Sequence, residues 1–85
     1  MALFLIERQY AEELEIAAAD VASIQRINAD VGVNWLFSFL SADRKKTYCL
    51  YEAPSPEEIR NAARRAHLPA DVVIEVSQIR PETIV

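Results

Sequence analysis

Apolar side chains fall on both sides of the opening segment. Over residues 2–8, Leu3 and Leu5 point one way and Phe4 and Ile6 the other, which predicts a strand needing cover on both faces. The period then lengthens: Leu14, Ala17, Val21 and Ile24 recur at helical spacing with Ile27 beside them, predicting a helix over 11–28. Glu12, Glu13 and Glu15 crowd its first turns, where negative charge meets the positive end of the helix dipole. No Ser, Thr, Asp or Asn marks its start. Asp30-Val31-Gly32 forms the exit, and Gly32, the only glycine, takes a positive φ freely.

Two further strands, 33–41 and 46–53, are joined by Ala42-Asp43-Arg44-Lys45, the spacing of a tight hairpin. With Ala42 facing Lys45, Trp35 lies opposite Glu52, Phe37 opposite Leu50 and Phe39 opposite Tyr48. Asn34, Leu36, Ser38 and Leu40 then share the reverse face with Ala53, Tyr51, Cys49 and Thr47, and a slip of one residue would change every pair. A second helix follows. Ser55 is a natural N-cap, Pro56 suits the first helical position and Glu58 completes a Ser-x-x-Glu box. Ile59, Ala62, Ala63 and Ala66 form its apolar stripe, Arg64, Arg65 and His67 sit near its negative end, and Pro69 stops it. The last strand, 72–79, alternates Val72, Ile74 and Val76 with Val73, Glu75 and Ser77, and Pro81 ends it.

The order β-α-β-β-α-β is that of the ferredoxin-like fold. It predicts a single α+β domain over residues 1–85, a four-stranded antiparallel sheet with two helices on one face. No element of the chain covers the other face, although strand and hairpin place Leu, Phe, Trp and Tyr there. A patch of that kind exceeds the few hundred Å2 that soluble monomers usually expose. A homodimer pairing the two sheets, a dimeric α+β barrel, is therefore expected, at about 800 Å2 buried per partner.

Composition narrows the function. Nine Lys and Arg against 13 Asp and Glu give a formal charge of −4, which disfavours the phosphate contacts of a nucleic-acid partner. Tyr48 and Tyr51 also fall on opposite faces, unlike the paired stacking aromatics of an RNA-binding sheet of this topology. No apolar run approaches the ~20 residues of a membrane span. Residues 1–6 lack the basic flank of a signal peptide, so a cytoplasmic location is expected. Cys49 is alone, which excludes an internal disulfide and a Cys-rich zinc site, and it reads as a small buried hydrophobe.

Trp35-Leu36-Phe37-Ser38-Phe39, Ser41-Ala42-Asp43 and Thr47-Tyr48-Cys49-Leu50-Tyr51-Glu52-Ala53-Pro54, with Ala63-Arg64-Arg65-Ala66 and Leu68-Pro69-Ala70-Asp71, resemble a family of small bacterial proteins. Most of these are domains of unknown function, and one described member binds nickel. The resemblance spans about residues 31–76 and implies a ferredoxin-like dimer with a site for a divalent metal such as nickel, or for a small ligand. Relatives often carry a His in the second helix where this chain has Ala62, and tend to carry Gly where it has His67. The Ala62 position thus lacks the imidazole that a divalent transition metal prefers to carboxylate alone.

Among candidate site residues, Glu52 ends a strand written Tyr-Cys-Leu-Tyr, so its carboxylate is expected to be partly buried, facing Trp35, with Tyr48 on the same side. An acid, a phenol and an indole around an apolar cavity suit a small ligand or a proton transfer. Glu7 and Arg8 close the first strand, either as solvated ends or as an extension of that rim. The ligand-binding set is thus Glu52, Tyr48, Trp35 and Glu7, with no catalytic residue assigned. The expected function is a homodimeric binding protein holding a metal ion or small ligand in a sheet-face cavity. The alternatives are a cofactor-independent monooxygenase or isomerase of the dimeric α+β barrel type, and a purely structural domain. His67 suits dipole compensation at its helix end.

Overall fold

The local signals around Ser55 produce the second helix as written. Pro56 opens it, Glu57 and Glu58 lie in its first turn, and it ends at Arg65. The Ser55 hydroxyl donates to the Glu58 carboxylate rather than closing the box on the backbone. In a computed structural model that describes residues 1–83, the elements are β1 (Ala2–Gln9), α1 (Ala18–Asp30), β2 (Asn34–Leu40), β3 (Lys46–Ala53), α2 (Pro56–Arg65) and β4 (Val72–Val76). A 3-10 turn follows at Pro81–Thr83.

The strands form one antiparallel sheet in the order β2-β3-β1-β4, as the ferredoxin-like topology requires. One face carries the core: Phe4 and Ile6 from β1, Cys49, Tyr51 and Ala53 from β3, Val33 before β2, and Ile59 from α2. Ala62 and Ala63 are buried beside them. The thin Ala stripe lets α2 lie close to the sheet, while α1 buries only Asn28.

Both helices end in the same backbone device. In α1 the Gly32 N–H donates to the Ala29 carbonyl (3.3 Å) and the Val33 N–H to Asn28 (2.9 Å), with Gly32 at φ 73°. In α2 the His67 N–H donates to Arg64 (3.2 Å) and the Leu68 N–H to Ala63 (2.9 Å). These are Schellman caps, and His67 occupies the left-handed position at φ 56°. That position explains why a glycine would be at home there.

Three sequence expectations are corrected. The first helix starts at Ala18, not at residue 11. Lacking a cap, the preceding stretch bonds elsewhere: the Tyr10 N–H donates to Lys45 (2.8 Å) and the Leu14 N–H to Arg44 (2.7 Å). Glu12, Glu13 and Glu15 therefore precede the helix, and Asp20 supplies its acidic first turn, accepting from the Ala17 N–H (3.1 Å). The last strand ends at Val76 rather than 79, where Val76 faces Leu3 and its partner β1 has only Ala2 left to offer. The hairpin register holds for Phe37 with Leu50 and Phe39 with Tyr48, but slips between Trp35 and Phe37. Beyond that bulge Trp35 faces Tyr51, not Glu52, and Asn34 faces Glu52.

Candidate functional site

The bulge divides the expected site between two faces. Cα partners across the sheet share a face, so the open side reads in three rows. Asn34, Glu52, Leu3 and Val76 form the first, Phe37, Leu50, Leu5 and Ile74 the second, and Phe39, Tyr48, Glu7 and Val72 the third. Glu52 and Tyr48 share this side but are held apart by the apolar middle row. Glu52 accepts from Asn34 Nδ2 (3.1 Å). Glu7 stands beside Tyr48 and pairs with Lys46 (3.0 Å), which raises the Lys46 ammonium from its ordinary value. Trp35 is absent from this side.

Among the described residues nothing covers Phe37 and Ile74 of the middle row, while Leu5 and Leu50 between them are half-buried. Phe37 is 51% exposed, Phe39 65% and Ile74 50%. Phe37 and Phe39 meet edge to face, with ring centroids 5.6 Å apart.

Trp35 lies on the helix side, stacked on Tyr51 with centroids 6.4 Å apart and donating from Nε1 to Ser38 Oγ (2.8 Å). Here α1 stands off the sheet over a cavity of about 390 Å3. Ile24 and Ile27 form its roof, Trp35, Tyr51, Cys49 and Arg8 its floor, and the 10–16 stretch and the end of α2 its walls. Sequence reasoning found Trp35 but assigned it to the wrong face.

Arg8, which sequence reasoning left either at a solvated strand end or on the pocket rim, is instead a buried residue of the covered face. It is 3% exposed. The alternation Phe4, Ile6, Arg8 placed it on the covered face all along. Its guanidinium donates to the Pro69 carbonyl and to the Tyr51 hydroxyl (3.4 Å), and sits 5.8 Å from the Tyr51 ring centroid. Burial pushes the Tyr51 phenol above its ordinary 10.0, with Arg8 acting the other way. The Asn28 side chain also lies close enough to favour the ionised Tyr51, yet its buried Nδ2 has no hydrogen-bond partner. At the neighbouring position Tyr10 and Thr47 share a hydroxyl hydrogen bond (3.1 Å).

A metal is poorly served by these arrangements. No group of three or more His, Cys, Asp or Glu is placed to hold one among the described residues. His67 is exposed, Cys49 buried, and the open-face carboxylates are already bonded to Asn34 and Lys46. The donors on the open face are oxygen atoms, without the imidazole or thiolate that nickel favours. Nor is any helix among the described residues long and apolar enough to cross a membrane.

Comparisons with known proteins agree with the fold. A family model described as nickel responsive protein SCO4226-like matches residues 4–76. The crystal structure of SCO4226 from Streptomyces coelicolor A3(2) superposes with a TM-score of 0.71 at 22% identity, over 93% of this chain and 100% of that one. At that identity the likeness shows the fold alone. No curated protein matches the sequence.

Proposed function

We propose, from the premise that this chain belongs to the SCO4226-like family of nickel responsive proteins, that it is a small homodimeric binding protein. Two copies close their open sheet faces on each other, and each holds a small ligand. The observation that carries the assembly is the open face on which Phe37, Ile74 and Phe39 lie exposed beside the half-buried Leu5 and Leu50. Such a surface is costly in water and becomes a core when a copy of itself covers it. Glu52 with Asn34 and Glu7 with Tyr48 then belong to the polar rim of the interface, and whatever they hold lies between the two sheets. The family description relates its members to nickel, but the described residues of one copy supply no nickel site, so this function does not depend on the metal.

Solvent protection of isoleucine methyls tests the assembly. A soluble paramagnetic probe should attenuate the methyls of Ile79, 73% exposed, and spare those of Ile74. Equal attenuation of both refutes the sheet-to-sheet dimer.

A further inference from the structure

We propose that the cavity beneath α1 binds a small monocarboxylate with an apolar body, the carboxylate accepting hydrogen bonds from Arg8. This goes beyond the binding function proposed above by naming a second site and its ligand class, and it is independent of the proposed dimer, which uses the opposite face of the sheet.

The charge of Arg8 is the first ground. Arginine is almost never fully buried without a partner of opposite charge. Ion pairs among the described residues join Lys46 to Glu7, Arg65 to Asp30 and Arg80 to Glu82, and none reaches Arg8. Its acceptors are one carbonyl and one phenol, both neutral. A guanidinium carries five N–H donors in a planar fork that matches a carboxylate edge. Asn28, outside the cavity lining but close to the Tyr51 hydroxyl, has an amide Nδ2 that finds no acceptor among the described residues. Of the cavity's residues, Arg8 and Tyr51 hold more donors than acceptors between them, and the guanidinium lacks an anion.

The space is the second ground. About 390 Å3 lies within the roughly 300–1,000 Å3 usual for small-molecule sites. Trp35, Ile24, Ile27, Leu14 and Leu68 give it an apolar lining for the body of the ligand, with Ser23, Ser38 and Thr47 among the polar groups between them. The two carboxylates on its lining, Glu15 and Asp20, are exposed, and Asp20 is engaged by the Ala17 N–H. Water screens them, whereas Arg8 acts in a low-dielectric interior. A neutral apolar ligand would leave Arg8 uncompensated, and a dianion would bury a second charge without a partner.

Trp35, the single tryptophan, lies in the cavity and reports its occupancy. Octanoate should change Trp35 emission saturably and raise Tm, and octan-1-ol should bind at least about tenfold more weakly, a modest return for a charge-assisted hydrogen bond. Arg8→Met should abolish the preference for the acid with the far-UV spectrum unchanged. Ile24→Phe, which fills the cavity and leaves Arg8 in place, should weaken both probes. Equal affinity of acid and alcohol for the unmodified protein overturns the ligand class and leaves the cavity standing. Absence of binding by either probe overturns the cavity as a site. Either result can be read even if Arg8→Met fails to fold, and a folded Arg8→Met that keeps the acid preference refutes the role of Arg8.

Discussion

Truncating Phe39 separates a dimer contact from a folding contact. Phe39 is 65% exposed on the protomer. An aromatic side chain presents about 200 Å2, so roughly 130 Å2 awaits cover and some 70 Å2 is already buried. At about 25 cal/mol per Å2, covering the exposed part contributes up to ~3 kcal/mol per copy, or ~6 kcal/mol in a symmetric dimer. The part already covered contributes about 2 kcal/mol to the fold of each protomer. Phe39→Ala should therefore weaken dimerisation by up to about four decades in Kd while lowering protomer stability by about 2 kcal/mol. Sedimentation velocity over a concentration series measures the first quantity, and urea unfolding at a concentration where both proteins are monomeric measures the second. A dimer Kd within tenfold of the unsubstituted protein would show that this ring lies outside the interface and that the open face is covered differently.

Other outcomes follow from single residues. His67→Gly relieves a left-handed residue at the α2 cap, a strain of about 1–2 kcal/mol less the glycine entropy, so Tm should rise by a few degrees in a thermal melt. No rise would place the strain elsewhere. Burial raises the Tyr51 phenol and Glu7 raises the Lys46 ammonium. Groups raised in the folded state contribute stability that is full below their unfolded values, 10.0 and 10.5, and is lost as pH climbs through the folded values. Stability should therefore fall above about pH 10, with one tyrosine ionising late in absorbance at 295 nm and that late step missing in Tyr51→Phe. Protein made without an affinity tag should retain well under one equivalent of nickel after dialysis. Stoichiometric nickel that Glu52→Gln removes would instead place a metal site on the open face, between two copies.

Much of the fold was legible because its signals are local. Ser55, Pro56 and Glu58 set one helix, Gly32 set an exit, and the apolar residues on both faces of β1 read as a strand. The start of α1 was not legible, since helical periodicity continues into residues 14–17 while the backbone there bonds to the hairpin instead. The bulge beside Leu36 carries no glycine or proline to mark it, yet it moves Trp35 to the opposite face and dissolves the expected cluster with Glu52. Arg8 was misread for a different reason. Charge suggested water, whereas its place in the alternation with Phe4 and Ile6 pointed to the interior, and position outweighed polarity.

The most direct test is the mass of the unmodified protein by sedimentation equilibrium at micromolar concentration. Twice the 9.6 kDa chain mass, falling toward one copy on dilution, is the expected result. A stable, non-aggregating particle of a single chain across that range would contradict the pairing of the sheets.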